Sequence, residues 1–208
     1  MTAEIFKGFT KKDYSKVENI KNLFDKFAYL DQVHSSKILY TDTEGFIGEG
    51  DGLYTDKKGL VLTIRVADCN AIYLWDNQKK RIMLLHAGWR GTVDKILQEG
   101  IDIFLSASFD AEDLNVYISP SARKCCYEIG KDLYYSLKED NNAVMEKRDG
   151  KYYFDLLTTN LKIAEENGIQ NINYSKSCTI CNSKYFSYRA NKTNKRHLAF
   201  IGIKKELK

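Results

Sequence analysis

The chain has one proline, three histidines and two tryptophans in 208 residues, and no apolar stretch nears the ~20 residues that cross a bilayer. A lone proline, Pro120, and the lack of any Gly/Ser-rich linker leave no compositional break to divide it. The expectation is one domain over residues 1–208, long enough to bury a substantial core. Cysteine is also scarce: five, at 69, 125, 126, 178 and 181, an odd number that argues against a disulfide framework and for free thiols. The N-terminal MTAEIFKGFTKKDY has no secretory apolar run, so a cytoplasmic protein without a membrane partner is expected. A net charge of +4, with Lys and Arg spread among acidic neighbours, argues against nucleic acid but suits a small anion such as phosphate. Monomer and homodimer both remain open.

Hydrophobic residues make up 43% of the chain and charged residues 29%, a globular balance. Residues 14–29 carry Val17, Ile20, Leu23, Phe24 and Phe27 at helical spacing, which predicts an amphipathic helix before Gln32-Val33-His34. Gly59–Val66, Ala71–Trp75 and Arg81–Leu85 read as buried strands. From Gly91 the period changes: Val93, Ile96, Leu97, Ile101 and Phe104 share a helix face, with Gly91 or Thr92 as cap. Leu114–Ile118 predicts a strand, Tyr127–Leu137 a helix, Asp155 to Gly168 a capped helix, and Ile172–Tyr174 and Leu198–Ile203 closing strands. Strands and helices without strict alternation favour an α/β or α+β domain, mixed sheets flanked by helices.

Asp76 to Lys80 is a polar turn between two apolar strands, and a two-residue Asn77-Gln78 loop would set Cys69 directly opposite His86. Their Cβ atoms would then lie about 5 Å apart, a ligand-pair distance. Zinc accepts nitrogen and thiolate in a tetrahedron, and His34, beyond the predicted helix, is the natural third ligand. Three protein ligands leave a position for water or substrate, the mark of a catalytic site. The bland alternative makes Cys69 a small buried hydrophobe and His86 a core histidine. His197, in the basic run Asn194-Lys195-Arg196-His197, reads as solvated.

At these residues the sequence resembles the YfiH-type family, known as polyphenol oxidase or laccase-domain proteins and as purine nucleoside phosphorylases. The resemblance rests on Gln32-Val33-His34, Asp51-Gly52 with Thr55, Ala67-Asp68-Cys69 and His86-Ala87-Gly88-Trp89-Arg90-Gly91-Thr92. It continues through Ser119-Pro120, Cys125 to Gly130, Cys178-Thr179 and Phe186-Ser187-Tyr188-Arg189, covering about residues 31–203. It implies a layered fold with mixed sheets, a zinc site of His34, Cys69 and His86, and activity on purine nucleosides: phosphorolysis, including that of methylthioadenosine, and deamination of adenosine. The family's opening Arg-Gly-Gly-Val-Ser is here Lys7-Gly8-Phe9-Thr10, and its double arginine is Arg189-Ala190.

For deamination the metal would acidify a water that attacks C6 of the purine, with Glu128 or Asp68 as proton shuttle or, alternatively, as structural carboxylates. For phosphorolysis Arg90, beside the helix start at Gly91, is the choice for phosphate, against simple packing on Trp89. Cys125 is expected to line the pocket, and Arg189 to bind an anion or to stack and pair. Cys178-Thr179-Ile180-Cys181 has zinc-knuckle spacing but no second pair at matching spacing, so a structural role is expected. Rival readings are a metal-free hydrolase with Cys69 as nucleophile and His86 as base, a copper-dependent phenol oxidase, and a non-enzymatic metal-binding protein. A multicopper centre needs many imidazoles, and three histidines argue against it.

Overall fold

A computed structural model describes residues 4–138 and 143–204. Its elements run in chain order β1 (Ile5–Phe9), α1 (Val17–Lys21), β2 (Phe27–Asp31), β3 (Ile38–Tyr40), β4 (Gly45–Glu49), β5 (Gly52–Thr55) and β6 (Val61–Val66). Next come β7 (Asn70–Asp76), β8 (Ile82–Ala87), α2 (Trp89–Val93), α3 (Ile96–Leu105), β9 (Leu114–Ile118), β10 (Glu128–Ile129) and α4 (Lys131–Ser136). The chain continues through β11 (Met145–Arg148), β12 (Lys151–Phe154), α5 (Leu156–Glu166), β13 (Asn171–Tyr174), α6 (Tyr188–Asn191) and β14 (His197–Ile203).

Two mixed sheets form the body, one ordered β1-β14-β6-β2-β4 and the other β13-β9-β7-β8-β5-β3, with a small sheet β10-β12-β11 beside them. The expected α/β architecture of mixed sheets and flanking helices is therefore found. Alternation along the strands sorts the core into layers, since successive side chains point to opposite faces. Ile72, Leu74, Met83 and Leu85 pack against Ile96, Leu97, Ile101 and Phe104 of α3 and Ile163 of α5. On the other face, Ala71, Tyr73, Ile82 and Leu84 meet Leu62, Ile64, Ala199 and Ile201 of the first sheet. Both faces of β7 and β8 are thus covered, which is why their sequences are apolar almost without interruption.

Several expectations need correction. The predicted helix over 14–29 is only the short α1. Phe27 to Asp31 is instead a strand pairing in parallel with β6 and β4, and Leu23 is 44% exposed. Sheet pairing overrides the local helical period there. The helix expected from Gly91 starts at Trp89, with Gly88 as cap, and is broken at Lys95 in the left-handed conformation (φ 61°) before α3 resumes. Within the predicted Tyr127–Leu137 helix, Glu128-Ile129 pairs with Tyr152-Tyr153, and only Lys131–Ser136 is helical. Asp155 does cap its helix, accepting from the Thr158 N–H at 3.1 Å, and Gly168 follows the helix end at φ 79°.

Candidate metal centre and substrate cavity

The turn between β7 and β8 is wider than two residues. Asp76 Oδ2 accepts the N–H groups of Lys80 and Arg81 at 2.9 and 2.8 Å, Lys79 takes φ 56°, and the first strand pair is Trp75 with Ile82. Consequently His86 lies opposite Ala71, not Cys69, and Cys69 sits just beyond the last pair, Asn70 with Ala87. A displacement by an even number of residues preserves the face. Cys69 and His86 therefore still point the same way, toward the space between the two sheets, at the end of the Ala71/Tyr73 and Ile82/Leu84 rows.

His34 arrives from the segment after β2. The donor atoms of His34, Cys69 and His86 lie within 4.8 Å of one another, and the two imidazole centroids are 4.8 Å apart. Two backbone strains accompany this convergence: His34 has φ 63° and Asp68, beside Cys69, has φ 81°. Left-handed non-glycine residues cost roughly 1–3 kcal/mol and persist where surrounding structure enforces them. Gly88 completes the cradle, for a Cβ there would stand 2.9 Å from Cys69 Sγ and 3.4 Å from a carbon of His34. Gly88→Ala should therefore push the thiol off its position and weaken metal retention roughly tenfold or more, read by chelator competition; unchanged retention would show that the cradle has slack.

Asp51, quoted in the sequence only as part of Asp51-Gly52, is the neighbour of the triad whose role sequence reasoning missed. Its side chain is fully buried; Oδ1 accepts from His86 Nδ1 at 2.7 Å, while Oδ2 accepts from the N–H groups of Val33 and Ser35 at 3.2 and 2.6 Å and from the Ser35 hydroxyl at 2.9 Å. One carboxylate thus orients His86, leaving Nε2 for a ligand role, and pins the loop that carries His34. Burial pushes the Asp51 carboxyl up, but the hydrogen bonds from His86 and Ser35 outweigh it and hold it below its usual value. The available signal was an aspartate between Gly50 and Gly52 at a strand start, which marks a turn and not a ligand shell.

Electrostatics within the triad are strongly coupled. Burial raises the Cys69 thiol, yet His86 and His34 outweigh burial and bring it to about 6. Burial lowers His86, but Cys69 and Asp51 lift it to about 9. Both shifts favour the thiolate–imidazolium form of the pair, from which metal uptake would displace a proton of His86. Two imidazoles, one thiolate and a carboxylate behind an imidazole suit a mononuclear transition-metal ion.

The triad opens into a cavity of about 600 Å³. Arg65, Arg90, Arg189 and Arg196 supply positive charge to its wall, and Trp89, Tyr127 and Tyr188 supply flat surfaces. Arg90 lines the cavity with its guanidinium 5.1 Å from the Trp89 ring centre, so the expected position and the packing on Trp89 are both present. Arg189 lies 4.8 Å from the Tyr127 ring centre and donates to the Glu128 carbonyl at 2.7 Å. Asp68 lines the cavity, but its oxygens accept from the Thr179 hydroxyl at 2.7 Å and the Arg189 N–H at 2.8 Å, so it positions the rim. Sequence reasoning gave no role to Arg65, Arg196 or Tyr188, although Tyr188 stands in the Phe186-Ser187-Tyr188-Arg189 block and Arg196 in the basic run before His197.

Three expected placements do not hold. The Glu128 carboxylate pairs with Lys151 at 2.9 Å and does not line the cavity, which leaves it outside the reacting space. Cys125 is also absent from the cavity wall, because its sulfur turns toward Cys126, Cys178 and Cys181. His197 is fully buried, not solvated: Nδ1 donates to the Thr10 carbonyl at 2.7 Å, Nε2 accepts the Phe186 N–H at 2.8 Å, and the ring stacks on Phe186. Its polar neighbours precede β14, whereas His197 is that strand's first residue.

Sheets, layers and site together define a mixed α/β protein with a nitrogen–sulfur donor triad at the floor of an arginine-rimmed cavity. The chain belongs to the family described as multi-copper polyphenol oxidoreductase laccase, whose profile matches residues 11–204. It is 35% identical to a purine nucleoside phosphorylase of Clostridium acetobutylicum over 98% of this chain and 90% of that one. It is 34% identical to a purine nucleoside phosphorylase of Borreliella burgdorferi, covering 87% and 85% of the two chains. The crystal structure of YlmD from Geobacillus stearothermophilus superposes with a TM-score of 0.82 at 27% identity, covering 92% of this chain and 79% of that one. The Bacillus licheniformis hypothetical protein YfiH gives a TM-score of 0.79, also at 27% identity, over 91% and 79%.

Proposed function

We propose that this protein is a zinc-dependent purine nucleoside phosphorylase, with methylthioadenosine phosphorolysis and adenosine deamination as further activities of the same site. The observation that carries the reading is the convergence of His34, Cys69 and His86 beneath a cavity that offers arginines for phosphate and aromatic rings for a purine. Relatives carrying the purine nucleoside phosphorylase name support it. Zinc, when bound, supplies a Lewis acid with an open coordination position. Among the described residues the donors there are two imidazoles and one thiol, and His197 is committed to backbone groups, so a multicopper oxidase is disfavoured.

Phosphorolysis places a phosphate oxygen on C1′ of the ribose as the bond from C1′ to the purine nitrogen breaks. The site must therefore hold a dianion and a flat base on either side of one sugar. Arg90 and Arg189 take the phosphate, with Arg65 and Arg196 raising the local potential. Trp89, Tyr127 and Tyr188 give the base faces to stack on. Asp68 keeps Arg189 in place through its backbone N–H. On this reading the activity lies in the cytoplasm, in a single domain acting as monomer or homodimer without nucleic acid or membrane partners.

Zinc-loaded protein should release free base and ribose 1-phosphate from inosine or adenosine only when phosphate is present. Base release that is absent, or indifferent to phosphate, would overturn the reading. Arg90→Ala should raise the KM for phosphate about tenfold while changing the KM for nucleoside little, as loss of one charge-assisted contact predicts. The second reading, a cysteine hydrolase, draws on the lowered Cys69 thiol and the raised His86. Such an enzyme would turn over without metal.

A further inference from the structure

A second group of sulfurs lies apart from the cavity. Cys125, Cys126, Cys178 and Cys181 hold their Sγ atoms within 4.8 Å of one another. Zinc–thiolate bonds of about 2.3 Å in a tetrahedron set neighbouring sulfurs about 3.8 Å apart. The quartet is therefore spaced for a single ion and leaves no room for the several irons of a cluster. Cys125 and Cys181 are exposed, so the role of small buried hydrophobe does not fit them.

The local backbone is shaped for this. The N–H groups of Ile180 and Cys181 are aimed at the Cys178 sulfur, the knuckle geometry expected for Cys-x-x-Cys. Cys125 and Cys126 sit in a turn closed by the Cys126 and Tyr127 N–H groups on the Arg123 carbonyl, both at 2.9 Å. A bridge from Ser121 to Cys178, with Thr179 N–H on the Ser121 carbonyl at 3.0 Å, ties the two loops together.

Arg123, beside the quartet, is a cation placed to answer an anionic centre. Its side chain is buried, at 7% exposure, and its other N–H groups go to uncharged oxygens of Asn70, Ser119, Ser121 and Ser175. Nε has no partner. A buried cation hydrogen-bonded only to neutral acceptors is costly, and the charges near enough to favour it are those of Cys178, the Asp155 carboxylate and Cys125. Four thiolates around one divalent ion carry a net double negative charge, which this guanidinium answers.

We propose that Cys125, Cys126, Cys178 and Cys181 bind one structural zinc ion as a tetrathiolate, clamping the loop after β9 to the loop before α6 with Arg123 as buried counter-charge. The clamp sits behind the cavity rim: one loop leads into Tyr127, and the other carries Thr179, which holds Asp68, and leads on to Arg189. It is independent of the proposed enzymatic reaction. It also resolves why Cys178 and Cys181 lacked a second spaced pair, for their partners are adjacent in sequence.

The test removes the first centre and asks what stays. In a His34→Ala/Cys69→Ala double variant, elemental analysis should still find about one zinc per chain, and adding Cys178→Ser should abolish it. Cobalt in the double variant should give the intense visible and charge-transfer bands of a tetrahedral thiolate site. In wild type, where no fold is perturbed, Cys125 and Cys181 should resist a thiol reagent until a strong chelator is added. A double variant devoid of zinc, exposed thiols that react at full rate without chelator, or mass spectrometry showing these cysteines as disulfides would each overturn the proposal.

Discussion

His86→Ala is expected to strip the catalytic metal and to lower phosphorolysis about 10³-fold, the rate equivalent of the several kcal/mol that a Lewis acid contributes. The side chain is buried at 4% exposure beside Cys69, so the variant leaves a small cavity and a thiol without its cationic neighbour, and the Cys69 thiol should titrate above its present value of about 6. His34→Ala is the sharper companion. A cysteine hydrolase keeps Cys69, His86 and Asp51 intact in that variant and should retain most turnover, whereas a metal enzyme with three ligands loses one and should fall with His86→Ala. Metal content and kcat/KM measured together, with circular dichroism to establish folding, separate the two. Full activity in His34→Ala protein whose metal content has fallen to that of the cysteine quartet alone would sink the zinc reading.

Asp51→Asn should produce the largest combined loss of stability and metal affinity of any single change outside the ligands. Asp51 accepts four hydrogen bonds, from Val33, Ser35 (twice) and His86, and an amide would turn an N–H₂ group toward at least one donor. Orphaned buried donors cost about 1–3 kcal/mol each, so a total near 3 kcal/mol is expected in denaturant unfolding of the apo protein. Metal affinity should drop about 10–100-fold, the usual effect of removing the carboxylate behind a ligating histidine. The pH dependence gives the check on mechanism. A carboxyl held below its ordinary value contributes stability that is complete above the ordinary carboxylate range and is lost as pH falls through the lowered value. Wild type should therefore lose this contribution in acid, while Asp51→Asn should lack it at every pH. Parallel acid profiles for the two proteins would refute the assignment.

The triad was legible in the sequence because its parts stand beside strong signals: two apolar strands around a polar turn, and glycines before a helix. The exact pairing was not, since Asp76 captures the N–H groups of Lys80 and Arg81 and widens the turn, a choice made by one buried side chain. Parity protected the conclusion: a register displaced by an even number leaves Cys69 and His86 on one face. Asp51-Gly52 stood out only as a motif of the resemblance, and nothing local shows that its carboxylate will meet a histidine 35 positions later. His197 was misread for the opposite reason, since a basic neighbourhood suggested water where the first residue of a central strand was being buried. Helical periodicity over residues 14–29 failed because Phe27 to Asp31 satisfies its backbone in a sheet whose partners are far away in the chain. Cys125 and Cys126 escaped pairing with Cys178 and Cys181 because only the fold brings the two loops together.

The double attachment of Asp51 also bears on which ion the protein carries in a cell. Because the fold itself draws His34 toward His86, the donor triad is set by protein contacts and need not be gathered by the ion. A rigid set of two imidazoles and a thiolate imposes its own geometry on the ion, which zinc accepts without a d-electron preference, whereas copper(II), although higher in the Irving–Williams order, must give up its tetragonal arrangement. Shape would then work against supply, so that protein made in a copper-rich medium would take up less copper than the bare affinities of its donors dictate.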